Sequence, residues 1–238
     1  YYYVNGVLGF DEISMHLKGE ETVGVYPLRS DKTLRLSCLY IGIPWRRVVE
    51  NIKNTGYLAI LEDRVHHYGL EILGKLREQG IPSYLENSGD RDRRVWFFFE
   101  EFVPFELAER LLSAVLDKIR APFVDITVKP LLGFKVGGVG FEDFPVMLPL
   151  GVNRGTGKRC FFIDEYGNPY EDQLLFIKKV RTISREGIKN FVKLPDFEDI
   201  YKQYEQVERE LADKNFGKQS DFEDYRKQIE REFFDIHM

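Results

Sequence analysis

The nine residues LRLSCLYIG, Leu34 to Gly42, decide how this chain is read. They are apolar and aromatic, follow the turn-forming Ser30-Asp31-Lys32 and stop at Pro44, so they read as a β-strand. Thr22 to Leu28 reads as its partner across that turn, which predicts a hairpin. The stretch also stands out for what it lacks. Between Asp31 and Glu50 there is no Asp or Glu.

Working outward, Val7 to Leu17 reads as a short helix. Arg46 to Asn54 reads as another, stopping before Thr55-Gly56. Residues 65–79 (VHHYGLEILGKLREQ) place Val65, Leu70, Leu73 and Leu76 roughly on one face, with Gly80 as a stop. Pro82–Glu86, a polar turn at Asn87–Asp92 and the aromatic run Val95–Phe99 predict a second hairpin. The clearest helix spans 105–120, where Ala108, Leu111, Leu112, Val115 and Ile119 recur at helical spacing and Pro122 closes the element. A Gly-rich run (133–140), strands at Val146–Leu150 and Cys160–Asp164, and a helix from Glu171 to Ile183 follow. This order predicts an α+β fold with an antiparallel sheet backed by helices, of the split β-α-β kind.

The 238 residues suffice for one large domain or for a domain with an appendage. With 43% hydrophobic and 31% charged residues, the composition is that of a soluble globular protein. No apolar run approaches the ~20 residues of a membrane span. No signal peptide is visible, so the cytoplasm is the expected compartment. The chain opens Tyr1-Tyr2-Tyr3 without Met, which reads as part of a longer polypeptide. Cys38 and Cys160 sit in apolar runs and read as buried thiols. Charge divides the chain. Residues 196–238 carry 13 acidic and 7 basic residues, whereas 1–195 is close to neutral. We therefore expect a domain at 1–195 and a charged helical appendage or linker at 196–238. Any contact with a polyanion must come from a local patch.

Four segments in order resemble the archaeo-eukaryotic primase superfamily, most closely the primase-polymerase domain of bacterial conflict systems and mobile elements. They are HLKGEETVGVYPL (16–28), SGDRDRRVWFFFE (88–100), GGVG (137–140) leading to MLPLG (147–151), and FFIDEYGNPYEDQ (161–173). Together they cover about residues 14–183. The resemblance implies an RRM-like core in which two strands carry the catalytic groups. Templated nucleotide addition of that kind uses two divalent metals held by carboxylates. An Asp-x-Asp at a strand end supplies both on one face, because side chains two apart point the same way. Here the corresponding positions are Tyr40 and Gly42, and a one-residue slip gives Leu39 and Ile41, so the acid pair is missing in either register. The family's phosphate-contacting His corresponds to Arg94. Its third acid corresponds to Asp125.

The catalytic motifs thus read as degenerate, with no catalytic residue assigned, no metal set and no cofactor. Mg²⁺ or Mn²⁺ would enter only if Asp125, Glu62 or Asp63 served as unorthodox acids. His66-His67 point about 100° apart on a helix and make a poor chelating pair. The Gly133–Gly140 run lacks the Gly-Lys-Ser/Thr ending of a P-loop, and Asp164-Glu165 reads as turn chemistry. Basic residues cluster near the vacated positions: Arg35, Arg46, Arg47, Arg91, Arg93, Arg94, Arg154, Lys158 and Arg159. The expected nucleic-acid contacts are Arg91, Arg93, Arg94, Lys158 and Arg159, with Tyr40 and Trp96 offering stacking surfaces. Three functions remain open from sequence. One is an inactive primase-polymerase-like domain that binds single-stranded RNA or DNA, or positions other domains of the same polypeptide. Another is an active nucleotidyltransferase, and the third is a structural interaction domain.

Overall fold

A computed structural model describes residues 8–119, 125–131 and 145–193, and the statements below concern those residues. The elements in chain order are α1 (Phe10–Lys18), β1 (Gly24–Val25), β2 (Thr33–Gly42), α2 (Trp45–Glu50) and α3 (Thr55–Glu78). Then follow β3 (Tyr84–Asn87), β4 (Arg93–Pro104), α4 (Phe105–Lys118), β5 (Thr127–Leu131), β6 (Val146–Met147) and β7 (Phe161–Ile163), closed by α5 (Gln173–Lys178) and α6 (Arg185–Val192). The main sheet has the order β5-β2-β4-β3-β7, and every neighbouring pair is antiparallel. With α2 and α3 together filling the first helical position, the chain from β2 to β5 runs β-α-β-β-α-β, so the sheet is built on a split β-α-β unit. The expected α+β class, an antiparallel sheet backed by helices, is what the chain adopts.

Alternation along the strands sorts side chains onto two faces. Leu39, Ile41, Val95 and Phe97 point one way and are fully buried. Against that side lie Leu58, Leu61, Val65 and Ile72 of α3, with Leu107, Leu111 and Val115 of α4. Each such side chain stabilises the fold by about 1.5–3 kcal/mol. At Gly69 a Cβ would sit 3.0 Å from Leu85, so α3 lies close to the sheet there. The opposite face carries Cys38, Tyr40, Trp96, Arg94 and Glu86. Its middle is covered by Val146 and Leu150, with Leu17 of α1 and Phe176 of α5 packed alongside.

Three expectations are corrected. Thr22–Leu28 does not form a hairpin with β2, whose Cys38–Gly42 half is paired with β5 on one edge and which lies against β4 on the other. Instead Gly24 and Val25 pair with Met147 and Val146 in a separate two-stranded sheet. The Ser30–Lys32 turn still forms, with Asp31 Oδ1 accepting from the Thr33 backbone N–H and hydroxyl, but it delivers the chain to β2 without a ladder. The helix expected over 65–79 begins ten residues earlier, at Thr55, because Asn54 Oδ1 caps the Tyr57 N–H. The helix expected over 171–183 is α5 followed by extended chain. Ile183 is drawn to β4, donating to Phe98 O and accepting from the Glu100 N–H, and α6 restarts at the Ser184 cap. The Gly133–Gly140 run and residues 196–238 lie outside the described residues. No helix among the described residues is long and apolar enough to cross a membrane.

Candidate nucleic-acid interface

The end of β2 sits mid-sheet, with Tyr40 between Lys129 on β5 and Arg94 on β4, and Gly42 opposite Thr127. Tyr40 and Gly42 share a face. The Tyr40 ring folds over Gly42 so closely that a Cβ there would collide with the phenol hydroxyl, and Lys129 Nζ lies 5.2 Å from the ring centroid. Burial, with Asp92 nearby, pushes the Tyr40 phenol up to about 12, so it stays neutral.

Next to Tyr40 the sheet buries charge. Glu86 is fully enclosed. Its Oε2 accepts from the Trp96 indole N–H at 2.7 Å and lies 3.7 Å from Arg94 Nη1. Arg94 also faces Asp92 at 3.7 Å and donates to Met147 O at 3.4 Å. Desolvation raises the Glu86 carboxyl to about 7, although Arg94 and the indole N–H pull the other way. Burial likewise pushes the Cys38 and Cys160 thiols up to about 12, which keeps both unreactive at neutral pH.

The structure separates Arg94 from the other four expected contacts. Arg91, Arg93, Lys158 and Arg159 line one cleft of about 530 Å³, together with Glu62, Asp90 and Thr156. Its two loops are stitched together. Asn153 Nδ2 donates to Ser88 O, Thr156 Oγ1 to Gly89 O and Cys160 Sγ to Ser88 O. Gly89 has φ +76°, and a Cβ would stand 2.8 Å from Lys158 O, so this approach requires glycine. The four cations are not equally available. Arg159 spends its guanidinium on the carbonyls of Leu17, Lys18 and Leu150, and Arg93 donates to the carbonyls of Asp90 and Asp92. Arg91 is held by Glu62 at 2.9 Å yet is 44% exposed. Lys158 is exposed and has no side-chain partner among the described residues.

The acids considered for an alternative centre lie apart from one another in their partnerships. Asp125 is 2.7 Å from Arg47 Nε and accepts from the Tyr57 hydroxyl. Glu62 holds Arg91, and Asp63 holds His67. Among the described residues, no three His, Cys, Asp or Glu side chains group as they would around a metal ion. Trp96 is fully buried and presents no ring face to solvent, contrary to the sequence reading, whereas Tyr40 is half-buried with its ring over Gly42.

The pattern of the archaeo-eukaryotic primase domain of TOTE conflict systems matches residues 7–191. The chain belongs to that family. Among curated proteins, none matches it. In this primase domain the segment that opens at His16 has a local task that the sequence did not suggest. The His16 ring accepts the Val23 N–H at Nδ1 and donates from Nε2 to Pro149 O, both at 3.0 Å. It thereby ties α1, β1 and the Leu148–Gly151 segment into one cover over the sheet. Burial lowers the His16 pKa, with Arg159 and Arg154 adding to the effect, so the neutral ring is the form the fold holds. A buried His facing a Pro-Leu-Gly segment leaves no periodic signal, so only three-dimensional packing reveals it.

Proposed function

We propose that this primase domain is a non-catalytic member of its family that holds single-stranded nucleic acid for other domains of the same polypeptide. The observation that carries the reading is the Tyr40 ring lying over Gly42, in the place where an acid pair would project. The residues present do not fit a two-metal centre, since a phenol of raised pKa and a glycine offer no anionic ligands and Asp125 is already neutralised by Arg47. We read the β-α-β-β-α-β core as RRM-like, and place the domain in the cytoplasm. No cofactor enters this reading. With Mg²⁺ or Mn²⁺, all nucleotides and a primed template, we expect no primer extension and no de novo primer. Metal-dependent product would overturn the reading.

Binding is assigned to the cleft, with Arg91 and Lys158 as the main phosphate contacts. Contacts to a single strand weaken with salt as counterions leave, by a slope of about 0.7 per phosphate neutralised. Titration of single-stranded DNA and RNA across a salt series should therefore give a shallower slope, by about 1.4, for Arg91→Ala/Lys158→Ala. An unchanged slope and affinity would move the contacts elsewhere. Absence of binding by the unaltered chain at low salt would remove the nucleic-acid role.

A further inference from the structure

We propose that Phe102, flanked by Arg29 and Arg35, is a stacking site for an unpaired nucleobase at the open end of the sheet. The proposal rests on the nucleic-acid reading above but on a different observation. Leu34 and Val103 are paired and fully buried. Their chain neighbours Arg35 and Phe102 are both exposed. The pairing of β2 with β4 slips between Leu34 and Leu36, and such a bulge re-aims a side chain. Phe102 is 41% exposed, whereas Trp96 on the same strand is sealed beneath Val146 and Leu150.

The surroundings are those of a nucleobase platform rather than of an apolar contact. The Arg29 guanidinium carbon lies 4.3 Å from the Phe102 ring centroid and that of Arg35 lies 5.5 Å away. Asp31 holds Arg29 at 3.5 Å, and Arg35 donates to Glu100 O. Both cations are exposed. A base can extend this stack by lying on the ring or on a guanidinium plane, while the cations face the adjoining phosphates. An apolar protein partner would have to bury two arginines at this point, which is costly. A strand of nucleotides uses them. The ring face accepts any base, so the site does not select sequence.

The test is equilibrium binding of an oligothymidylate of about ten nucleotides, and of the same strand with abasic positions, to the 238-residue chain. Phe102→Ala should weaken binding of the intact strand by about tenfold. It should leave the salt slope unchanged, and Phe102→Trp should restore the affinity. The abasic strand should bind Phe102→Ala and the unaltered chain equally. If the chain binds but Phe102→Ala binds as well as it does, the stacking site is overturned while the cleft stands. An equal loss on the abasic strand would likewise overturn it, since the ring would then act without a base. If the unaltered chain binds neither strand at low salt, the nucleic-acid reading itself fails, and the stacking site with it.

Discussion

Replacing Arg94 with Ala should cost the domain about 3–5 kcal/mol of stability, the usual effect of removing one partner of a buried ion pair. The guanidinium lies between Glu86 and Asp92 and reaches Met147 O, with only 13% of its side chain exposed. Its loss leaves two buried carboxylates uncompensated. The penalty should depend on pH. Glu86 has its pKa raised from 4.5 to about 7 in the fold, so the folded state binds more protons than the unfolded chain between those values. Stability attributable to Glu86 is thus fully present below about 4.5 and is lost as pH rises through about 7. Without Arg94 the carboxyl shifts further upward, and the loss continues above neutrality. Urea unfolding of Arg94→Ala at pH 5.5 and pH 8 should show the larger deficit at the higher pH. A deficit below about 1 kcal/mol at both would show that Arg94 is not an anchor of the sheet.

His16→Ala comes next in expected effect, at about 2–4 kcal/mol. It strands the Val23 N–H and the Pro149 carbonyl, each otherwise satisfied by the ring, and an unsatisfied buried group costs about 1–3 kcal/mol. Gly151 packs so tightly on the imidazole that a Cβ would strike the ring, so the loss also leaves a cavity. The folded pKa lies below 6.5, so the unfolded chain takes up the proton first as pH falls. The intact protein therefore loses this contribution as pH drops below about 6.5, and the gap to His16→Ala should narrow between pH 7.5 and pH 5.5. Parallel denaturant melts of the two proteins would show it. A gap that widened on acidification would mean the fold holds the charged ring.

Much of the core was legible in the sequence, because its elements carry local signals. The amphipathic period of α4 and the apolar runs of β2 and β4 need no tertiary context. Pairing was harder to read. Thr22–Leu28 looked like the partner of β2, but β5 arrives from far along the chain and takes the Cys38–Gly42 part of that edge, while Gly24 and Val25 pair with β6. Non-local competition of this kind leaves no trace in a short window. At the site, the acid-free strand end and the clustering of Arg91, Arg93, Lys158 and Arg159 followed from motif order. The fate of Arg94 did not, because a cation looks alike in sequence whether it is solvated or enclosed. Only the cover from β6 and Leu150, joined by α1 through His16, decides that. Phe102 was hidden for the opposite reason. It follows a run of aromatics whose members are largely enclosed, and the irregular pairing beside it is a property of the two strands together.

The contact between Tyr40 and Gly42 makes position 42 conditional on position 40. Any side chain introduced at 42 meets the phenol hydroxyl, so it is acceptable only after the residue at 40 has become smaller or its ring has swung away. The converse does not hold, since a smaller residue at 40 meets no obstacle at Gly42. Sequence change at this strand end is thus directional. Chains of this kind can drift at 40 while 42 stays glycine, but a side chain at 42 beside an aromatic residue at 40 should be rare among relatives, and an attempt to install a carboxylate pair has to begin at Tyr40.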